Sequence, residues 1–519
     1  MLETRHVIMV ASENDALIHG KVGGVGDVMR DLPCALAQLG FRITTIIPSY
    51  GFLQKDNPSR RSTGIRFPFS GKYLDGELWE VIPKAPCEGI THFVFEHPEV
   101  HGEPIYSNDP PGHAFARDAT KYALFCSAVG QYLKTVADPF ILHLHDWHMG
   151  FFLLLKELHP DFAHLKKCKS VFTIHNLAIQ GTRPIRGKQS TVEQWFPELF
   201  TQTGWIEEWK DPRYEDPAFT PMAAGIQLCD KVNTVSPTYA EEILRPSDRA
   251  IGFFGGEGME RFVQQVQRES RLFGILNGAE YPVDRKPSSM SFPALCDLIV
   301  QEMGKAKEKK GNLVFDEILR RIVALKGKPP RLMLTSVTRV VDQKIRLLYE
   351  KSSRGTQAMD EILASLARKQ GVCVVLGTGT TEYEEKLTET FFEHDNFLFL
   401  NFFSEEVGWA LYANGTIFMM PSSFEPCGIG QMIAMRDGQP CVVHATGGLC
   451  DTVIDGVNGF RFDGTTLAGK ADDLIAVTER TVRMALEDPD RWKEICRKAR
   501  EARFTWEKSA RQYVDLLYS

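Results

Sequence analysis

Five short segments carry side chains whose type and spacing could do chemistry. In Lys21-Val-Gly-Gly-Val-Gly-Asp27, the glycines at 23, 24 and 26 let backbone N–H groups approach a ligand. The helix expected to follow favours anions at its start, and Lys21 adds a mobile positive charge. The motif is neither G-x-G-x-x-G nor a P-loop, and simple chain reversal accounts for it equally well. His143-Leu-His-Asp-Trp-His148 gathers three histidines around Asp146. Alternation along a strand sends His143 and His145 to one face and leaves His148 beyond the strand end. The segment therefore reads as a polar strand end lining a cleft in preference to a metal site. In the third segment, Phe172 to Gly181, an apolar strand stops abruptly at His175-Asn176. That sets an imidazole at a sheet edge, where contact with substrate and a structural role are both open.

The other two segments suit a nucleotide-linked ligand. Arg339 and Lys344 share one post-strand loop. A guanidinium can grip a diphosphate in bidentate fashion while an ammonium acts as a point charge; two solvated surface cations are the plain alternative. Pro421 to Gln431 (PSSFEPCGIGQ) sets Glu425 between Phe424 and Pro426, where it suits neutral hydroxyls such as those of a ribose. In His444 to Val453, Thr446, Gly447 and Gly448 offer backbone donors to an anion.

These segments must be positioned by strands and helices in alternation. His6–Ala11 reads as a buried strand, Asp27–Leu39 as a helix stopped by Gly40, and Arg42–Ile47 as the next strand, which together make a βαβ unit. Strands are predicted at 140–144, 170–174 and 231–235, each ending in polar residues with no tight hairpin. A second series is predicted at 331–337, 371–376, 396–400, 415–420 and 440–443. Between the series, residues 281–330 read as a hinge followed by an exposed, lysine-rich helix. Two parallel-sheet domains are expected, 1–283 and 284–495, with a helix at 496–519 docking across them. Ligands of open α/β sheets bind at the carboxyl ends of the strands, so a cleft lined by both sheets is the expected site.

Composition agrees with this and removes other classes. At 519 residues the chain exceeds one ordinary core, and 43% hydrophobic with 24% charged residues is a globular balance. A net charge of −7 gives no electrostatic case for nucleic acid. No stretch approaches the roughly 20 apolar residues of a membrane span. The opening MLETRHVIMVASEND makes a good first strand and a poor signal peptide. Eleven scattered cysteines with no CxxC argue for a reducing compartment, with the cytoplasm as the expected location.

Taken in order, KVGGVGDV, HDWH, FTIHNLAIQG, NTVSPTYAEEI, GILNG, TRVVDQK, LGTGTTEYEE, PSSFEPCGIGQ and ATGGLCDTV closely resemble the bacterial glycogen synthase and plant starch synthase family. The resemblance implies a GT-B architecture of two Rossmann-like domains facing across a cleft. It also implies a retaining glucosyltransferase that extends an α-1,4-glucan from ADP-glucose. It further implies catalytic roles for His175, Asp146, Arg339, Lys344 and Glu425. Donor contacts are implied for Lys21, Gly23, Gly24, Asn277, Gly377, Cys427, Gly428, Thr446, Gly447 and Gly448. No cofactor and no metal are expected; the partners are a nucleotide sugar and an α-glucan, and the oligomeric state is not indicated. The run NGAEYPV departs from the family pattern after Asn-Gly and keeps open a relative using another nucleotide sugar or a small acceptor. A non-catalytic glucan-binding relative is weighed against by the intact Lys21, His175, Arg339, Lys344 and Glu425.

Overall fold

The computed structural model describes residues 5–101, 105–107, 109, 112–187, 189–201, 204–281, 289–306 and 312–519. The chain divides into two compact units. One comprises Met1–Pro246, Gly255–Asn277 and Trp506–Ser519; the other comprises Ser247–Phe254 and Gly278–Thr505.

The first unit is built on β1 (His6–Val10), β2 (Arg42–Pro48), β3 (Ser59–Phe69), β4 (Lys72–Val81), β5 (Ile90–Glu96), β6 (Ile141–His145) and β7 (Lys169–Ile174). A two-residue pair, β8 (Arg183–Pro184) with β9 (Ala218–Phe219), stands apart from the sheet, which is completed by β10 (Lys231–Thr234) and β11 (Leu272–Gly274). The order is β11-β10-β7-β6-β1-β2-β5-β4-β3, parallel from β11 through β5. All five residues of β1 are buried, as an apolar run must be when helices cover both faces of a parallel sheet. The last two strands, β4 and β3, are antiparallel and lie in a stretch for which no strand was predicted. Ser70 and Gly71 join β3 to β4 with φ of 52° and 71°, a two-residue turn whose positive φ values match the twist of the flanking strands.

The helix Gly24–Gln38 begins three residues earlier than its expected start at Asp27, on the second glycine of the motif. Helix Trp506–Gln512 and the turn Tyr513–Tyr518 that follows it pack in the same unit, adding Trp506, Ala510, Tyr513 and Tyr518 to a core that contains Val28, Leu32 and Leu36.

The second unit has β12 (Leu332–Val337), β13 (Gly371–Leu376), β14 (Phe397–Leu400), β15 (Ile417–Met420), β16 (Cys441–His444) and β17 (Gly459–Phe462), all parallel, in the order β14-β13-β12-β15-β16-β17. The expected boundary at 283/284 lies outside the described residues; compactness divides the chain at 277/278. The expected terminal segment splits, because Pro489–Glu501 is one continuous helix of the second unit. The expected exposed helix after the hinge is instead two helices, Phe292–Ala306 and Asn312–Gly327. Leu295, Ile299 and Met303 of the first and Ile318 and Ile322 of the second repeat at helical spacing and enter the core.

Candidate active site

In the first unit, four of five adjacent strands deliver the candidate residues to one edge. Lys21, Gly23 and Gly24 follow β1, Asp146 follows β6, His175 follows β7, and Asn277 follows β11, with β10 between. Strands lie about 4.8 Å apart, so this edge spans roughly 20 Å. The order of strands reverses between β1 and β6, where open α/β sheets take their ligands.

The glycine loop is held from below by Glu13, which the sequence reading missed. Its buried carboxylate accepts from the backbone N–H groups of Val22 (2.5 Å) and Gly23 (2.7 Å) and from the Tyr106 hydroxyl (3.2 Å). Burial raises its pKa, and those donors oppose the rise. A Cβ on Gly23 would come within 3.0 Å of this carboxylate, whereas one on Gly24 would meet nothing within 4 Å. Gly24 therefore leaves open space above the loop. The expected mobile cation, Lys21, is tied to Asp27 at 2.5 Å.

Asp146 has φ of 60° and ψ of 177°, an uncommon backbone conformation that clusters at functional sites. Its carboxylate reaches across to the end of β7 and accepts from the N–H groups of His175 (2.7 Å) and Asn176 (3.4 Å). Burial pushes its carboxyl up to about 7, against those two donors. His145 and His175 share a ring-to-ring hydrogen bond of 2.9 Å, and His143 stacks on His145 with centroids 4.3 Å apart. Alternation thus places His143 and His145 on one face, as the strand reading expects. Both nitrogens of His143 are spent on Tyr518 and Thr173. Burial holds His175 down at about 3, so its ring is neutral. Asn277 is buried, and its side-chain oxygen has no hydrogen-bond partner among the described residues.

In the second unit the same construction recurs. Arg339 and Lys344 follow β12, Gly377 follows β13, Glu425 follows β15, and Thr446 with Gly447 and Gly448 follow β16. The order reverses between β12 and β15, and there the Lys344 ammonium contacts the Glu425 carboxylate. Their side chains are only 12% and 7% exposed. Ser422 donates a second hydrogen bond to that carboxylate at 2.9 Å. The two segments are also stitched by backbone, Ser423 N–H to Gln343 O at 2.8 Å and the Gln343 amide to Phe424 O at 3.0 Å. Arg339 is exposed, and its guanidinium has no partner among the described residues.

The two fragments of the fifth segment meet, since Gly448 N–H donates to Glu425 O at 3.1 Å. A Cβ on Gly447 (φ 44°) would lie 1.9 Å from Glu425 O, and one on Gly448 would lie 2.2 Å from Cys427 O. A Cβ on Gly377 would lie 1.8 Å from Thr338 O. Close backbone approach therefore accounts for these glycines, and it holds Cys427 and Gly428 against the Thr446 loop. His444 Nδ1 bonds Ser422 O at 2.9 Å, and its ring stacks on Phe462.

Phe403 was also missed. It follows β14 at the same edge and is 81% exposed, an aromatic face left to solvent. Two adjacent phenylalanines after an apolar strand were the available signal, but exposure of the second cannot be read from sequence. Among the described residues one group of metal-capable side chains occurs, Asp360, Glu393 and His394. Glu393 and His394 end the helix that leads into β14, which puts them at the opposite edge of the sheet.

Comparison with known proteins bears on this geometry. Residues 6–265 match the family model described as the starch synthase catalytic domain, and residues 342–499 match glycosyl transferases group 1. The chain is 31% identical to a glycogen synthase of Gloeobacter violaceus, covering 99% of this chain and 98% of that one. It is 33% identical to a glycogen synthase of Desulfitobacterium hafniense, covering 96% of each. Its fold matches the catalytic domain of starch synthase IV from Arabidopsis thaliana bound to ADP and acarbose, with a TM-score of 0.75 at 24% identity over 99% of both chains. Two parallel sheets with cationic and carboxylate side chains at their strand reversals, and full-length likeness at this level, place the chain in the glycogen synthase and starch synthase family of GT-B glycosyltransferases, as a glucan-extending glucosyltransferase.

Proposed function

We propose that the donor is ADP-glucose and that the glucosyl group is transferred with retention to the end of an α-1,4-glucan without a metal ion or other cofactor. The observation that carries this reading is the Lys344–Glu425 contact at the strand reversal of the second sheet. Lys344 stands in the first turn of the helix Asp342–Tyr349, not in one loop with Arg339 as the sequence suggests. Arg339, unpartnered among the described residues, lies in the short loop just before that helix. Cleavage of the bond from the sugar to ADP leaves a diphosphate that gains negative charge. Arg339 and Lys344 supply fixed positive charge for it, a stabilisation that is strongest where water is excluded. Glu425 orients the donor sugar, Cys427 and Gly428 contact it through backbone, and Gly377, Thr446, Gly447 and Gly448 line the phosphates. Phe403 offers its face to the base. On the first unit, Lys21, Gly23, Gly24 and Asn277 contribute donor contacts, and Asp146 and His175 meet the transferred glucose. The oxocarbenium-like sugar is stabilised by nearby carboxylate and carbonyl oxygens. The acceptor hydroxyl attacks from the leaving-group face and gives its proton to the departing phosphate. Eleven cysteines outside any disulfide support a reducing, cytoplasmic setting. Among the described residues no helix is long and apolar enough to cross a membrane.

Separate incubation with ADP-glucose and UDP-glucose, each with and without glycogen, tests the reading. It expects glucan-dependent ADP release and a much higher kcat/KM for ADP-glucose. Preference for UDP-glucose, or nucleotide release with only a small acceptor, would overturn it.

A further inference from the structure

Behind His175, within the first unit, runs a ladder of buried polar side chains that ends on the segment Trp506–Ser519. The wide turn Tyr513–Tyr518 has i to i+5 spacing, which turns Tyr513 and Tyr518 to the same side, toward the sheet. Tyr518 Oη meets His143 Nδ1 at 2.7 Å, and His143 Nε2 meets Thr173 Oγ1 at 2.7 Å. Thr173 donates its own proton to Asn233 Oδ1 at 2.6 Å, and Asn233 donates to Tyr513 Oη at 3.1 Å.

These contacts fix the protons. The Thr173 hydroxyl hydrogen is committed to Asn233, so Thr173 accepts from His143 Nε2–H. His143 Nδ1 is then an acceptor and takes the Tyr518 proton. His143 stacks on His145, whose Nε2 is buried with no partner among the described residues. An orphaned buried N–H is rarer than an unsatisfied acceptor, so the His145 proton sits on Nδ1 and is donated to His175 Nε2. His175 therefore carries its proton on Nδ1, and that nitrogen has no protein partner among the described residues.

We propose that His145 and Tyr518 are positioning residues that fix the protonation pattern of His175, so that its Nδ1 presents an N–H to the sugar. The proposal rests on the reading that His175 meets the transferred glucose. Tyr518 acts through His143, whose ring it holds stacked on His145; loss of its hydroxyl leaves that ring anchored by Thr173 alone.

Nitrogen-15 NMR of the full chain labelled at histidine reads the pattern directly. The His175 signal, identified by its loss in His175→Gln, is expected in the Nδ1–H form, and is expected to become a mixture of forms in His145→Phe. In kinetics, His145→Asn keeps an amide N–H where Nδ1 stood and should retain more kcat than His145→Gln, whose amide overlays Nε2. Tyr518→Phe should lower kcat about threefold to tenfold, the worth of one neutral hydrogen bond, with KM for glucan unchanged. An Nε2–H form of His175 in the unaltered protein overturns the proposal, as does Gln outperforming Asn at 145. An unaltered protein inactive toward every nucleotide sugar, yet showing the Nδ1–H form, defeats the functional reading and upholds the ladder.

Discussion

Replacing Lys344 by alanine probes both the chemistry and the stability of the second unit. In the folded chain its ammonium contacts Glu425, and among the described residues Ser422 is the other side chain bonded to that carboxylate. Truncation leaves a carboxylate that is only 7% exposed with one neutral donor. Breaking a buried pair in this way costs about 3–5 kcal/mol of stability. Catalysis suffers separately: removal of one fixed stabiliser of transition-state charge lowers turnover by about 10²–10³-fold, or roughly 3–4 kcal/mol of barrier. The two effects part company in Lys344→Ala combined with Glu425→Gln. That variant removes the stranded charge and should recover much of the stability, while kcat stays low. Initial rates at varied donor and glucan, with urea unfolding of each variant, measure both. KM for glucan should move little, since the lost charge acts on the leaving group. Turnover of Lys344→Ala equal to that of the unaltered enzyme would refute the assignment.

Burial pushes the Asp146 carboxyl up to about 7, so the folded chain holds that proton more tightly than the unfolded chain. This group's contribution to stability is full below about pH 4 and lost as pH rises through 7. Asp146→Asn keeps an acceptor for the His175 N–H; it should match the unaltered protein near pH 4 and exceed it at pH 8 by as much as about 4 kcal/mol in urea unfolding, with catalysis impaired. Gly447→Ala, at φ 44° and 1.9 Å from Glu425 O, should lose at least about 2 kcal/mol and raise KM for the donor, read by thermal unfolding and initial rates. Phe403→Ala should raise donor KM about tenfold with unfolding unchanged, because its ring is 81% exposed in the free protein and base stacking is worth about 1–3 kcal/mol. Addition of a chelator should leave initial rates unchanged, since the leaving-group charge is met by Arg339 and Lys344.

Much of this architecture is legible in the chain because parallel strands buried on both faces are short apolar runs, as in β1 and β13, and each is followed by a polar loop. The loops after β6, β7, β12 and β15 declare themselves by chemistry, with histidine, aspartate, lysine or glutamate directly beyond such a run. Strands β3 to β5 escaped notice because their alternation is broken by Gly64, Gly76 and a bulge at Arg61/Thr63, and their turn is the inconspicuous Ser70-Gly71. Glu13 sits in an ordinary-looking loop, and its importance arises from backbone donors at Val22 and Gly23 that no spacing rule indicates. Lys344 and Glu425 are 81 residues apart, so their contact depends on the strand order β12-β15. The paired histidines of β6 were visible as a motif, but their link to Tyr518 spans 375 residues and required the tertiary fold.

The most direct measurement is the product itself. A short maltooligosaccharide incubated with the purified chain and ADP-glucose should give, by mass spectrometry, a ladder of one-hexose additions that an exo-acting α-1,4-glucanase removes completely. Hydrolysis of the donor to free glucose with the acceptor unextended, or added hexoses that resist that glucanase, would contradict the account.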